Sequence, residues 1–395
     1  MHWADRRFRH GVARIAALAV GLGLAGISLV GCSPGGPPAA TMTLTPAPTH
    51  TAPDPIAGLS IAQRVGQLFM VGTTATAAQP GTIAAISGRH VGNVFLSGRS
   101  HLGVTATAAI VARLRAEVNS ASTADVPLFV ATDQEGGEVQ VLQGSGFSAI
   151  PTGVAQGQLG AASLASSSTT WGSQLHAAGV NMDLAPVVDL VSSAAAAPAN
   201  PPIGAFKREF GFSAATIVTH ANAFRQGMTA SHVMTVIKHF PGLGFVTKNT
   251  DTSANVVDTV TGPNGVDVGI YRSEISAGAT CIMVSSATYT RIDGASPGVF
   301  SRTMVSGLLR GKLGFGGIIM TDDLSGAKQV ESVSPGNRAI RAIEAGVDIV
   351  LVSKDPALAS PMVDAVLAKA KSDPAFAALV DAAARRVVET KKADL

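Results

Sequence analysis

From Leu59 onward the chain repeats one pattern: a short apolar run rich in β-branched residues, then a longer stretch with apolar positions at helical spacing. Eight runs are strand-like: residues 68–71, 94–96, 128–131, 180–184, 233–237, 281–284, 318–320 and 347–352. Runs so uniformly apolar are those of parallel strands covered on both faces. Between them, residues 104–118 carry a helical stripe, Ser213 is placed to cap a helix reaching Gln226, and 356–371 and 374–388 read as helices. This alternation predicts an α/β fold, a single TIM-like (β/α)8 barrel over 56–395, with a doubly wound open sheet as the alternative. After the eighth run only helix is expected.

The polar residues that end these runs change the picture from fold to chemistry. Lys238-His239-Phe240-Pro241-Gly242-Leu243-Gly244 follows the fifth run, and Thr321-Asp322-Asp323-Leu324-Ser325 follows the seventh. Thr132-Asp133-Gln134-Glu135-Gly136-Gly137 follows the third, Asp183 and Asp189 flank Ala185-Pro186-Val187-Val188 at the fourth, and Arg208 precedes Glu209-Phe210-Gly211. The carboxyl ends of the strands are where α/β folds place ligand chemistry. A cap or rim salt bridge explains any one of these residues. It does not explain them all on one rim, because buried like charges are costly unless a ligand or a reaction uses them. With no phosphate loop in sight, Asp, Arg, Lys and His suit a polyhydroxylated ligand: carboxylates accept from hydroxyls, and Lys, Arg and His donate.

Composition bounds the rest. A chain of 395 residues, 46% hydrophobic and 14% charged, has material for a large core. The net charge of +3 resides in the first 32 residues, where Arg6, Arg7, Arg9 and Arg14 against Asp5 give +4 − 1 = +3, leaving 0 for the remainder. A nucleic-acid-binding face is therefore not expected. The basic start, the uncharged apolar run 15–30 and Leu29-Val30-Gly31-Cys32 read as an export signal over 1–32. Its end resembles a bacterial lipobox, which implies acylation of Cys32 and membrane attachment. A simple cleaved signal or a short anchor is the alternative. Residues 33–55, rich in Pro, Thr and Ala, are expected to be a disordered tether. Cys281, alone after Cys32, has no partner for an internal disulfide and reads as a small core residue.

The motifs Asp-Gln-Glu-Gly-Gly, Arg-x-Phe-Gly, Lys-His-Phe-Pro-Gly-x-Gly and Thr-Asp-Asp-Leu-Ser, in this order, resemble glycoside hydrolase family 3, in particular its single-domain bacterial β-N-acetylglucosaminidases. The resemblance covers residues 59–395. It implies a TIM-like barrel, no metal, no organic cofactor and a carbohydrate substrate containing terminal GlcNAc. Residue by residue, Asp322 matches the nucleophile of a retaining mechanism. Asp133, Arg208, Lys238 and His239 match residues that grip sugar hydroxyls. Nearby Lys238, Arg208 or protonated His239 would favour the ionised form of Asp322.

The chain also departs from the family pattern. Single-domain relatives carry Asp-Ser-His in the loop after Lys-His-Phe-Pro-Gly, where this chain has Asn249-Thr250-Asp251. Leu243 replaces a second His, and Glu138 stands where Arg is usual. Asp251 is the expected acid/base, a carboxylic acid in place of imidazole, raised in pKa by burial. Asp258 and Asp323 are the alternatives, Asp323 reading mainly as strand-end support. Residues 249–251 also read as a plain turn. An anionic acid/base loop would repel phosphate, which favours hydrolysis over phosphorolysis. The competing readings are a catalytically weak sugar-binding lipoprotein and a β-glucosidase or β-xylosidase of the same family.

Overall fold

The computed structural model describes residues 54–394. The export signal at 1–32, with Cys32, and the tether up to residue 53 lie outside the described residues. Asp54 and Pro55, expected in the tether, are bound to the body. Asp54 pairs with Arg385 at 2.7 Å, and Lys392 Nζ donates to the Pro55 carbonyl at 3.3 Å.

All eight expected runs are parallel strands of one sheet. They are β1 (Phe69–Thr74), β2 (Asn93–Ser97), β3 (Phe129–Thr132), β4 (Met182–Asp183), β5 (Met234–Phe240), β6 (Cys281–Val284), β7 (Ile318–Thr321) and β8 (Val350–Val352). Their order is β7-β6-β5-β4-β3-β2-β1-β8. A parallel bridge between Met320 and Ile349, with Thr321 N–H donating to the Ile349 carbonyl at 2.9 Å, joins β7 to β8. Sequential neighbours closed on themselves make a (β/α)8 barrel and exclude the open doubly wound sheet.

Helices cover the outside. Ala214–Ala230 starts where Ser213 accepts the Thr216 N–H at 3.2 Å, and runs four residues past Gln226. Ala359–Ser372 and Pro374–Asp394 follow β8. Among the described residues no helix is long and apolar enough to cross a membrane.

Alternation along each strand separates two apolar layers. Met70, Phe129, Met234, Cys281, Ile318 and Ile349 point into the lumen with their period-two partners Ala131, Val236, Met283, Met320 and Leu351. Val71, Val94, Val130, Ile237, Ile282 and Val350 face the helices. The lumen is thus a packed plug rather than a pore, and Cys281 is one of its small side chains, as expected. The same parity decides what stands above the plug. Two residues beyond Ala131, Val236 and Met320 come Asp133, Lys238 and Asp322.

The opposite, N-terminal end of the barrel also holds charge. Asp348, fully buried, pairs with Arg386 at 2.8 Å and with Arg310, and accepts the Ile319 N–H at 2.8 Å. Lys391, fully buried, donates to Gln67 Oε1 and to the Gly92 carbonyl, both at 2.7 Å. Its ammonium stands 5.1 Å from the Phe129 ring centroid.

Candidate active site

A cavity of about 630 Å³ opens at the C-terminal end of the barrel, within the range of small-ligand sites. Its floor is the top of the lumen plug: Phe95, Leu184, Met283 and Leu351. Above the floor the structure brings together all six candidate residues, Asp133, Arg208, Lys238, His239, Asp251 and Asp322. A slightly larger hollow, of about 670 Å³, lies near the start of β3, β4 and β5 and holds His176, His232, Arg115 and Asp394. It has no pair of carboxylates. Chemistry, not size, singles out the first cavity.

Glu135, which had no separate role in the motif reading, organises one wall. It lies on the hairpin formed by Gln134–Gly136 and Val139–Gln140, just after β3. Arg208 clamps it with two hydrogen bonds, Nε to Oε2 at 2.8 Å and Nη2 to Oε1 at 2.7 Å. Lys238 Nζ lies 2.6 Å from Glu135 Oε1 and 2.6 Å from Asp133 Oδ1. Burial opposes the charge on Glu135, but Arg208 and Lys238 outweigh it and hold the carboxyl at about 2. Two cations and two carboxylates are thereby fixed before any ligand arrives. Beneath them Asp183 is buried with Oδ1 on the Gln134 N–H at 2.9 Å, and burial pushes its carboxyl up to about 8.

Asp189 sets the orientation of His239. Its Oδ2 is 2.7 Å from His239 Nδ1, and its Oδ1 accepts the Leu243 N–H at 2.7 Å. With Nδ1–H given to Asp189, the other ring nitrogen is left for the cavity. Leu243 is buried and lines the cavity, so the position of the family's second His is an apolar wall here. The loop is held at both glycines. Tyr289 O–H donates to the Gly242 carbonyl at 2.8 Å, and a β-carbon at Gly244 would lie 1.8 Å from the Leu190 carbonyl oxygen.

Asp322 is half-buried in the cavity wall, and its Oδ1 accepts the Asp323 N–H at 2.8 Å. Burial raises its carboxyl; His239, the Asp323 N–H and Lys238 pull it down without cancelling the rise. The expected help from Arg208 and Lys238 is weak because both are engaged by Glu135 and Asp133. Asp323 has the supporting role read for it. Its carboxylate accepts Ser325 Oγ–H at 2.7 Å, Gly326 N–H at 2.7 Å and Ser353 N–H at 2.7 Å, stitching the end of β7 to the end of β8.

Asp251 lies at the cavity mouth, one face open to solvent. The segment is indeed a turn: Asn249 Oδ1 accepts the Asp251 N–H at 2.8 Å. It is also docked on the loop after β7, where Gln329 N–H donates to the Thr250 carbonyl at 3.0 Å and Lys328 N–H to the Asp251 carbonyl at 3.3 Å. Crowding by protein atoms, and then the charge of Asp322, push the Asp251 carboxyl up to about 6. Asp258 drops out as an alternative. It is buried in its own turn, accepting Val260 N–H and Thr261 N–H at 2.7 Å each and Thr261 Oγ1–H at 2.8 Å, and it does not line the cavity. Glu138 sits outside, 3.6 Å from Arg99 and largely exposed.

Fold and site together define a barrel protein with a pre-ordered wall of paired charges and two interacting carboxyls above it. Residues 60–390 match the glycosyl hydrolase family 3 N terminal domain, and the chain belongs to that family. It is similar to an uncharacterized secreted glycosyl hydrolase of Arthroderma benhamiae, 34% identical over 58% of this chain and 64% of that protein, just under two thirds of its length. It is 32% identical to a beta-hexosaminidase of Vibrio cholerae over 66% of this chain and 75% of the relative. The crystal structure of a beta-N-acetylhexosaminidase from Beutenbergia cavernae superimposes with a TM-score of 0.84 at 60% identity, covering 85% of this chain and 99% of the other.

Proposed function

We propose that the protein is an exported, retaining exo-β-N-acetylglucosaminidase that hydrolyses terminal β-linked GlcNAc from peptidoglycan fragments or related glycans. The observation that carries this reading is the shared cavity in which Asp322 and Asp251 interact above the Asp133–Lys238–Glu135–Arg208 wall. Preference for the N-acetyl sugar is supported by the names of the Vibrio and Beutenbergia relatives.

In the reaction, Asp133, Arg208, Lys238 and His239 hold the sugar hydroxyls. Asp322 attacks the anomeric carbon while Asp251 gives its proton to the glycosidic oxygen, so the aglycone leaves as an alcohol and a glycosyl–Asp322 ester remains. Asp251, now ionised, takes a proton from water as the water attacks the ester, which returns Asp322 as a carboxylate. The raised pKa of Asp251 suits a group that must arrive protonated. The charge of Asp322 contributes to that rise, and it disappears when Asp322 is esterified, so Asp251 becomes a better-matched base for the second step.

For location, residues 1–32 serve as a lipoprotein signal, Cys32 as the lipid-bearing residue and the stretch from 33 to 53 as the tether of the barrel. The sequence supports this, and the Arthroderma relative is named as a secreted glycosyl hydrolase. Cys32→Ala is expected to move the protein from the membrane fraction to the soluble fraction and to abolish fatty-acid labelling.

The activity is tested by following aryl release from an aryl β-N-acetylglucosaminide by the purified protein. Turnover that exceeds that on the matching β-glucoside and β-xyloside supports the reading. Binding of GlcNAc with no turnover of any aryl glycoside overturns it in favour of a sugar-binding lipoprotein. Acceleration by phosphate with release of a sugar 1-phosphate would make it a phosphorylase.

A further inference from the structure

Three cations line the cavity, and two of them are spoken for: Arg208 by Glu135, and Lys238 by Asp133 and Glu135. The third is Lys354, two residues beyond β8. Among the described residues no carboxylate pairs with it, although Asp323 holds the backbone beside it through the Ser353 N–H at 2.7 Å. Lys354 is exposed, and the first carbons of its stem lie against Gly326. A β-carbon at Gly326 would lie 2.3 Å from Lys354 Cγ and 2.5 Å from its Cβ, so only glycine leaves room for the stem to cross there.

Its position says which part of a substrate it meets. In the barrel order β8 lies opposite β4, across the cavity from the sugar-holding groups after β3, β4 and β5. The loop after β7 carries Asp322, supports the Asp251 turn through Gln329 and Lys328, and carries Gly326 under Lys354. Lys354 and the Asp251 turn thus rest on the same loop at the cavity rim. The leading charges on Asp322 are His239, Asp323 and Lys238; those on Asp251 are Asp322, His239, Arg208 and Asp323. Lys354 is in neither set, so tuning the reacting carboxyls is not its task.

Resting on the hydrolase reading above, we propose that Lys354 is a specificity residue that recognises a carboxylate carried by the aglycone, as in a glycan whose next unit is a sugar acid. An ammonium at the rim gains little from a neutral alcohol. It gains a charge-assisted hydrogen bond and Coulomb attraction from a carboxylate. A dianion such as phosphate pays more repulsion from Asp322 and Asp323, so a monoanion is the better fit.

The test compares kcat/KM for 3- and 4-carboxyphenyl β-N-acetylglucosaminides with that for their carboxamides, in wild type, Lys354→Met and Lys354→Arg, at low and high salt. The intrinsic leaving-group difference cancels when the carboxylate-to-carboxamide ratio is compared between proteins. Lys354→Met is expected to lower that ratio about fivefold, the size of an exposed ion pair, with the carboxamide rates within about twofold of wild type. Lys354→Arg keeps most of the preference, and high salt erodes it in wild type. A ratio unchanged by Lys354→Met, or equal losses on both glycosides, overturns the assignment while leaving the hydrolase reading intact. Absence of wild-type turnover on every glycoside overturns both.

Discussion

The two ends of the barrel bury charge in different ways. At the N-terminal end Asp348 has Arg310, Arg386 and a backbone N–H, and Lys391 has an amide oxygen, a carbonyl and an aromatic face. Asp348 and the Lys391 amine there each have their partners in the protein. At the C-terminal end Glu135 is saturated by Arg208 and Lys238, but Asp322 has only the N–H of its neighbour, and no cation of the described residues pairs with Asp251. Burial raises both Asp348 and Asp322, so the shift alone does not separate structure from function. What separates them is whether the protein completes the set of partners or leaves space for a ligand to complete it.

This contrast can be broken by substitution. The largest effect is expected for Asp322→Asn, which keeps the shape and removes the proposed nucleophile; kcat on an aryl β-N-acetylglucosaminide should fall about 10⁴-fold, a typical loss for one member of a catalytic unit. Asp251→Asn should cost about 10²–10⁴-fold on a disaccharide, whose leaving group needs a proton, and far less on an activated aryl glycoside. Added azide should restore the aryl reaction of that variant. Asp251 must be protonated to act as acid and its pKa is raised to about 6, so kcat/KM on the disaccharide should fall as pH rises through that value. The same limb should be missing in Asp251→Asn. Glu135→Gln should weaken sugar binding about 10-fold or more by freeing Lys238 and Arg208 from their fixed positions, seen chiefly in KM, since a hydrogen bond to a charged group contributes about 1.5–3 kcal/mol.

At the other end the smallest catalytic effect is expected. Lys391→Met should leave kcat/KM unchanged and alter only stability. Burial lowers the Lys391 amine well below its ordinary 10.5, so the unfolded chain keeps a proton that the folded one releases. Wild-type stability relative to Lys391→Met should therefore rise with pH from the lowered folded-state value up to about 10.5, and denaturant unfolding at several pH values reads that slope. A catalytic defect in Lys391→Met would erase the distinction between the two ends.

Much of this was legible in the sequence. The eight strands announced themselves because parallel barrel strands are apolar on both faces, and the parity of Ala131, Val236 and Met320 carried Asp133, Lys238 and Asp322 to the cavity. Asp251 was reachable through the family resemblance, which places Asp-Ser-His at 249–251 in the loop after Lys238-His239. Glu135 was printed in a motif, yet its hub role depends on Arg208, far away in the chain, and no local pattern shows such a meeting. Asp189 was visible as a polar residue near β4, but its hold on His239 appears only when β4 and β5 lie side by side. Lys354 gave no signal at all, since an isolated lysine after a strand reads as ordinary surface until Gly326 and the cavity are placed beneath it. Asp258 misled for the converse reason: a carboxylate near the right spacing was satisfied by its own turn.

The most direct test of the central claim is to trap the covalent intermediate. A fluorinated N-acetylglucosaminyl fluoride, slow in both chemical steps but with a good leaving group, is incubated with the protein, and the adduct is located by intact mass and peptide mapping. The account predicts one glycosyl unit per chain, on the peptide containing Asp322, and none in Asp322→Asn. An adduct on any other carboxylate, or turnover of the fluoride with inversion and no adduct, would contradict it.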